Sequence, residues 1–303
     1  MAAGYGGPEN LVVQEVTLFE PGAGEVRVAV RVAGVNPADA KRYRGPGDPD
    51  QLPLPLGYEA AGVVTDVGPD VDHAVGDEVI VFRTQGAYAS DLVVGAAALT
   101  PKPPSLGWAE AGGLMLTGAT AWHTLVATEV GDGDTVLVHG ATGGVGLPAV
   151  QLARLRGARV IGTASERNHD LLRELGAEPV AYGDGLADRV RALAPDGVDA
   201  AIDLVGSDEA MDTSLELVAD RARIATIANF ARGPKEGVKL LGGGPGADPG
   251  DDIRSAARAE LARLAGDGTL RVFVAATYPL EDAAEAHRQI ATAHTTGKLI
   301  LLP

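Results

Sequence analysis

The sequence predicts an α/β protein in two parts: a parallel sheet wound from βαβ units, joined to a smaller β-rich barrel or sandwich. Three observations predict it. The chain has 303 residues, too many for one small core and suited to two domains of ordinary size. The first third alternates apolar and polar residues with period two, as a half-buried strand does. The middle alternates short apolar strands with helical stretches, the rhythm of a parallel sheet.

The elements follow in order. Val26–Val32 reads as an alternating strand, and Ala60–Val67 and Asp77–Phe82 are further β-branched runs. Gly68-Pro69-Asp70 and Val75-Gly76-Asp77 separate them with turn chemistry. Thr135–Val138 opens the parallel part, with a helix expected over 145–156. Arg159–Thr163 is the second strand, Asn168–Leu175 a helix closed by Gly176, and Pro179–Tyr182 the third strand. Leu186–Leu193 is helical, while Asp199–Asp203 and Arg223–Ile227 are strands four and five. Residues 232–252, rich in Gly, Pro and Asp, read as a long mobile loop. A helix over 253–265, a strand over 270–276, a helix over 281–292 and the strand Lys298–Leu302 complete the chain. This tail has the pattern of the first third and is expected to fold back onto it.

Composition narrows the function. With no cysteine, thiolate nucleophiles, disulfides and Cys-ligated metal sites are excluded. His73, His123, His139, His169, His287 and His294 are scattered without metal-ligand spacing. A formal charge of −16 argues against nucleic acid and anionic membranes as partners. No apolar run reaches the roughly 20 residues that span a bilayer, and Met1–Tyr5 has no signal-peptide pattern. A soluble, cytoplasmic protein is expected. Any phosphate-bearing ligand must be held by local amides and a few basic side chains.

The strongest chemical signal is Thr135-Val136-Leu137-Val138-His139-Gly140-Ala141-Thr142-Gly143-Gly144-Val145-Gly146. Ala141 stands where the first glycine of a Gly-x-Gly-x-x-Gly pattern would be, and Gly143 and Gly146 keep the other two. Strand before, helix after and βαβ rhythm beyond make this a Rossmann dinucleotide turn, with pyrophosphate on the helix N-terminus. Gly140, Thr142, Gly143, Gly144 and Val145 are the candidate contacts. The second strand ends Thr163-Ala164-Ser165-Glu166-Arg167. Ser165 and Arg167 suit a 2′-phosphate and favour NADP; Glu166, shifted by one position, would favour NAD instead. Tyr182, at the end of the third strand, flanks the same adenosine or is an ordinary strand-end aromatic.

Further motifs occur in order: Gly34-Val35-Asn36-Pro37-Ala38-Asp39, Pro55-Leu56-Gly57-Tyr58-Glu59-Ala60-Ala61-Gly62, Val75-Gly76-Asp77-Glu78-Val79, Gly86-Ala87-Tyr88-Ala89, the glycine turn, and Gly297-Lys298-Leu299. Together they resemble the medium-chain dehydrogenase/reductase superfamily, in its zinc-free quinone oxidoreductase (zeta-crystallin-like) branch. The resemblance covers nearly the whole chain. It implies a GroES-like β-barrel over 1–112 and 270–303, a doubly wound Rossmann domain over 113–269, a cleft between them and a homodimer. Three departures stand out. Asn36 and Tyr58 occupy positions where zinc-dependent relatives carry Cys and His, so zinc is not expected. Lys41 stands where quinone reductases often have tyrosine. Tyr5-Gly6-Gly7-Pro8 comes almost at once, so the usual first strand is short or missing.

The resemblance places Asn36 at the nicotinamide ribose or a substrate oxygen; the alternative is a turn asparagine before Pro37. Lys41 would stabilise a developing oxyanion, or is a solvated lysine in the run Lys41-Arg42-Tyr43-Arg44. Tyr58 would donate a hydrogen bond or proton, or wall the pocket. Thr120 matches a family position near the nicotinamide, with a packed helix threonine as the alternative. Val205 and Gly206 follow the fourth strand, and Asn229 and Phe230 the fifth, at strand ends where parallel sheets bind ligands. Lys298 and His294 would face the phosphates. The expected reaction is hydride transfer from NADPH to a quinone. Reduction of an activated C=C bond in an enone, enal or enoyl thioester, and non-catalytic NADPH binding, are the alternatives. The acid balance sets aside the RNA binding found in some relatives.

Overall fold

Alternation over Val26–Val32 becomes strand β1, Glu25–Val35, whose apolar residues point inward up to Val30 and which is buried on both faces from Val32 onward. The computed structural model describes all 303 residues. After β1 come α1 (Pro37–Arg44), β2 (Glu59–Val67), β3 (Glu78–Phe82), β4 (Asp91–Gly95), β5 (Leu99–Pro101) and α2 (Trp108–Ala127). The βα alternation follows as β6 (Thr135–His139), α3 (Gly146–Leu155), β7 (Arg159–Thr163), α4 (His169–Glu174), β8 (Glu178–Val180) and α5 (Leu186–Leu193). It continues with β9 (Ala200–Asp203), α6 (Asp208–Leu217), β10 (Ile224–Thr226), α7 (Gly233–Glu236) and β11 (Lys239–Leu240). The chain ends with α8 (Asp251–Gly266), β12 (Val274–Pro279), α9 (Ala283–Ala291) and β13 (Lys298–Leu302).

Two compact units result: residues 1–116 with 258–303, and residues 117–257. Both changes of unit fall inside helices, α2 and α8; the first lies four residues after the expected boundary at 112/113 and the second twelve residues before that at 269/270. Unit 1 is built on a seven-stranded sheet in the order β12-β13-β1-β2-β3-β5, with β4 also on β1. The eleven residues of β1 serve three partners: β2 along one edge, and β4 and then β13 along the other. Irregularities at Arg27/Val28 and Val30/Val32 let one strand bend between them. The C-terminal tail therefore completes the N-terminal sheet.

Unit 2 is a six-stranded, all-parallel sheet in the order β11-β10-β9-β6-β7-β8. This is the doubly wound order, and the direction in which successive strands are added reverses between β6 and β9. Leu137, Ile161, Ala201, Met211 and Ile224 are fully buried in its core.

Three expectations need correction, and one helix was not anticipated. Residues 232–252 are not a structureless loop: they contain α7, β11, a bridge between Leu241 and Asp248 and the start of α8. Asp248 also contacts His123 Nε2 at 3.3 Å, which pins the glycine-rich stretch to α2. The strand expected over 270–276 lies at Val274–Pro279. The third strand stops at Val180, short of Tyr182. Helix α2, twenty residues long, had no amphipathic period to reveal it because apolar residues surround it. Before β1 only single-residue bridges form, from Ala2 to Leu54 and Leu11.

One buried ion pair joins the elements of unit 1. Glu59, wholly buried at the start of β2, accepts from Lys298 Nζ of β13 at 2.9 Å through Oε1. Its Oε2 accepts from the Leu116 amide of α2 at 2.8 Å. Close approach of α2 requires glycine, since a Cβ on Gly34 would sit 2.4 Å from the Gly112 carbonyl. Removing one partner strands a buried charge. The variant Lys298→Met should lose about 3–5 kcal/mol of unfolding free energy, read from urea denaturation midpoints.

Candidate functional site

The glycine turn of unit 2 follows β6 directly. Gly140 has φ +72°, and a Cβ there would lie 2.7 Å from Val205 Cγ2 of the loop after β9. Gly146 packs against the turn itself, with an added Cβ only 2.2 Å from the Gly140 carbonyl oxygen. Gly143 donates its amide to Gly140 O at 3.0 Å, and Leu147 and Ala149 return theirs to Gly143 and Val145. The amides of Gly144, Val145 and Gly146 find no acceptor in the chain. They open the ten-residue helix α3, so unpaired N–H groups and the positive end of a helix dipole coincide. An anion of pyrophosphate size satisfies them.

The neighbouring strand ends are shaped by one buried carboxylate. Asp203 Oδ1 accepts the amides of Val205 and Gly206 at 3.0 and 2.8 Å, and its Oδ2 accepts Thr226 Oγ1 at 2.8 Å. Thr226 Oγ1 in turn accepts the amides of Ala228 and Asn229. This network turns the chain sharply after β9 and β10. It leaves Val205 55% exposed at the switch point, where a ligand face is expected. Gly206 has φ +84° and lies against Ala228. Asn229 caps Arg232 through Oδ1 at 3.2 Å, and Phe230 lies flat on Gly244, whose added Cβ would be 2.5 Å from its ring. His139, beside Asp203, is buried against Ser214; burial holds its imidazole down at about 4, so it is neutral at pH 7.

Beyond β7, Ser165 is half-buried, and Arg167 and Glu166 are exposed. A residue that sequence reading missed ties this loop to the glycine turn. Asn168 Nδ2 donates to Thr142 Oγ1 at 3.2 Å and reaches Ser165 Oγ at 3.4 Å. Nothing in its spacing marked it, because the tie exists only once β6 and β7 lie side by side. Tyr182 is 56% exposed beyond the end of β8. Thr120, expected near the nicotinamide, is buried, and its hydroxyl accepts from Arg254 at 3.1 Å. Arg254 also reaches His123, so this threonine belongs to the packing that pins residues 248–254.

In unit 1, two expectations are overturned. Lys298, assigned to the phosphates, is buried with its ammonium donating to Val35 O, Asn36 Oδ1 and Glu59 Oε1. Its three hydrogens are used, which leaves none for a ligand. Asn36 is 1% exposed, and its Nδ2 donates to Gly34 O at 3.3 Å and Glu59 Oε1 at 3.0 Å. With Lys298 on its carbonyl, the carboxamide is committed to the protein and has no free donor for a ribose. An adjacent ammonium also makes this a poor place for a metal cation. The chain contains no group of three or more His, Cys, Asp or Glu side chains arranged to hold a metal.

Tyr58 differs. Its ring is half-buried, and its hydroxyl has no hydrogen-bond partner in the protein. Burial raises the phenol above its usual range; Arg42 lowers it and Asp39 raises it further. It is a protonated donor at neutral pH with no acceptor in the protein. Lys41 is exposed on α1.

Comparison with known proteins shows the family. Residues 22–130 match the alcohol dehydrogenase GroES-like domain family, and residues 175–301 match the zinc-binding dehydrogenase family. A quinone oxidoreductase from Pseudomonas aeruginosa is 36% identical over 99% of this chain and 98% of its own length. A 2-haloacrylate reductase from a Burkholderia species is 35% identical over 98% of this chain and 96% of its own. The crystal structure of Escherichia coli quinone oxidoreductase complexed with NADPH superposes with a TM-score of 0.86 at 29% identity, covering 99% of this chain and 98% of that one.

If the open amides carry dinucleotide binding, crowding the turn should weaken it. Gly146→Ala puts a methyl against the Gly140 carbonyl and should weaken NADPH binding by about tenfold or more, or about 1.4 kcal/mol. Quenching of protein fluorescence during NADPH titration measures this; an unchanged affinity would show that the turn does not hold the pyrophosphate.

Proposed function

This chain belongs to the medium-chain dehydrogenase/reductase superfamily, in its zeta-crystallin-like quinone oxidoreductase branch, and from that premise we propose that it is a zinc-independent reductase of quinones. That it is an NADPH-dependent oxidoreductase follows from its relatives and structural neighbours. NADPH, when bound, supplies the hydride. The observation that carries the substrate reading is the unpartnered, half-buried phenol of Tyr58 in unit 1.

In unit 2, the amides of Gly144, Val145 and Gly146 are assigned to the pyrophosphate. Gly140, Thr142 and Gly143 shape the turn beneath it. Ser165, Arg167 and Asn168 are assigned to the 2′-phosphate, where a guanidinium and neutral donors fit a dianion. Tyr182, Val205, Gly206, Asn229 and Phe230 line the strand ends along which the rest of the dinucleotide is placed.

In unit 1, Tyr58 is assigned to the substrate oxygen. As hydride arrives at the acceptor, negative charge grows on that oxygen, and a donor already in place stabilises it. The proton on Tyr58 Oη passes to the oxygen, and the tyrosinate recovers a proton from solvent. Burial keeps the phenol protonated until then. Lys41 adds positive charge from the exposed face of α1. Zinc independence is supported by the donor set: Asn36 and Tyr58 offer no thiolate or imidazole, and the Lys298 ammonium lies against Asn36. A homodimer and a cytoplasmic location belong to the same proposal.

A second reading is reduction of an activated C=C bond. It is favoured by Lys41 in place of tyrosine and by the likeness to a 2-haloacrylate reductase. Both reactions need one hydride and one proton, so the same residues serve either.

Steady-state turnover with 1,4-naphthoquinone and with methyl vinyl ketone separates the two, and failure to reduce either with NADPH overturns both. Tyr58→Phe should lower kcat about a hundredfold on the preferred acceptor while the NADPH KM stays unchanged. Separately, Arg167→Ala should raise the NADPH KM about tenfold and leave the NADH KM unchanged; an equal effect on both cofactors would place Arg167 elsewhere.

A further inference from the structure

Unit 1 contains a chain of buried polar side chains with no part in the chemistry above. Tyr43 and Asp39 both project from α1, Tyr88 precedes β4, and His287 lies in α9. Tyr43 Oη meets His287 Nδ1 at 2.8 Å, and His287 Nε2 meets Tyr88 Oη at 3.0 Å. Tyr88 Oη meets Asp39 Oδ2 at 3.0 Å, and the Asn36 amide donates to the same oxygen at 2.8 Å. Tyr43, Asp39 and His287 are all 0% exposed. Chains of this kind cost free energy to bury, so a line of four with no apolar substitute calls for a physical explanation.

The connections supply one. Tyr88 holds the loop before Tyr58 through its backbone: its amide donates to Leu56 O at 3.0 Å, and the Ala87 amide donates to Gly57 O at 3.2 Å. Gly57 has φ +97°, and a Cβ there would lie 2.6 Å from the Tyr88 ring, so the loop lies directly on that residue. From the other side, Arg42 of α1 donates to Pro55 O at 2.8 Å. The loop 55–58 is thus held by α1 at one end and by Tyr88 at the other. The Tyr88–Asp39 hydrogen bond joins those two supports into a closed ring. A second ring, from Tyr43 through His287 and Tyr88 to Asp39, braces the same bond.

We propose that Asp39, Tyr88 and His287 are positioning residues for Tyr58, acting as a buried brace that fixes the loop from which its phenol projects. The proposal rests on the assignment of Tyr58 as donor. The brace also has a proton-dependent direction. With Asp39 ionised, Tyr88 donates to Oδ2, His287 Nε2–H donates to Tyr88, and Tyr43 donates to Nδ1. With Oδ2 protonated, every hydrogen in the line reverses.

The groups that face the brace are few. Around Asp39 they are Lys298, Glu59, Tyr88 and the Asn36 amide; around His287, Arg44 and the N-terminal ammonium; around Tyr43, Arg44, Glu9, Asp39 and Arg288. Burial pushes the Asp39 carboxyl up to about 7, and the Asn36 amide, the Tyr88 hydroxyl and Lys298 pull against it. Its Oδ1 is buried without a partner, which also disfavours the charged form. His287, held down at about 4 by burial, stays neutral throughout.

The test compares Tyr88→Phe, Asp39→Asn, Tyr58→Phe and the Tyr58→Phe/Tyr88→Phe double variant, each as the full chain with NADPH and the preferred acceptor. Tyr88→Phe should lower kcat about tenfold with the NADPH KM unchanged. The double variant should be no slower than Tyr58→Phe alone, because a brace has no effect once the braced group is gone. The pH profile of kcat should bend near 7 in the parent, lose that bend in Asp39→Asn, and shift it upward in Tyr88→Phe, which removes a hydrogen bond to the carboxylate. Multiplied losses in the double variant, or full activity in Tyr88→Phe, overturn the brace. Full activity in Tyr58→Phe instead overturns the assignment of Tyr58 itself, so the two failures are told apart. Should Tyr88→Phe not fold, Arg42→Gln cuts the half-exposed end of the same ring. It should show the same loss and the same non-additivity with Tyr58→Phe, and multiplied losses there overturn the brace equally.

Discussion

Glu59 is the constraint on which unit 1 depends. A carboxylate with no exposure is tolerated only if its charge is matched and both oxygens are occupied. Here one oxygen takes the Lys298 ammonium and the Asn36 carboxamide, and the other takes an amide from α2. Lys298 lies 239 residues away in sequence. The carboxylate therefore brings the last strand, the turn after the first strand and the middle of a long helix to one point. The sheet order places the C-terminal β13 beside β1 accordingly. Everything that holds Tyr58 is hung from this point, since Tyr58 directly precedes Glu59 and Asn36 caps the start of α1.

Unit 2 has a parallel logic with a different carboxylate. Asp203 spends both oxygens on the loops after β9 and β10 and so opens the strand ends at the switch point. Glycines do the rest by absence: a methyl at Gly140 would strike Val205, and one at Gly146 would strike the turn. In each unit a fully used buried carboxylate sets the backbone, and the groups assigned to ligands are among those left without partners: three amides in one unit and one phenol in the other.

That distinction explains what could be read in the sequence. The parallel sheet was legible because most of its strands are short apolar runs and several of its turns carry glycine, Gly140, Gly157, Gly176 and Gly197 among them; β6, β7 and α5 lie where the pattern put them within a residue or so. The glycine turn was legible because close backbone approach leaves no alternative residue. Helix α2 was not, since a helix buried all round shows no stripe. The roles of Asn36 and Lys298 were misplaced for a related reason. A polar residue in a family motif reads as a ligand contact, and only the folded chain shows that its partners are Glu59 and each other. Asp39, Tyr88 and His287 carried no signal as a set, because 199 residues separate Tyr88 from His287. Asn168 was silent likewise.

The acid balance bears on how such a site works. A net charge of −16 would repel a dinucleotide phosphate if the charges acted together at long range. At physiological ionic strength the Debye length is about 8 Å, so most surface carboxylates are screened from a ligand in the turn. Donors at hydrogen-bond distance are not screened, and amides at a helix N-terminus carry no counter-charge to be neutralised by neighbouring acids. Where the ligand carries a dianionic group, the chain offers Arg167, an exposed cation next to an exposed Glu166. Short-range donors can therefore select a phosphate on a protein whose surface as a whole is anionic. The same reasoning applies to Tyr58: a neutral phenol stabilises a developing oxyanion at hydrogen-bond distance, where long-range screening does not reach.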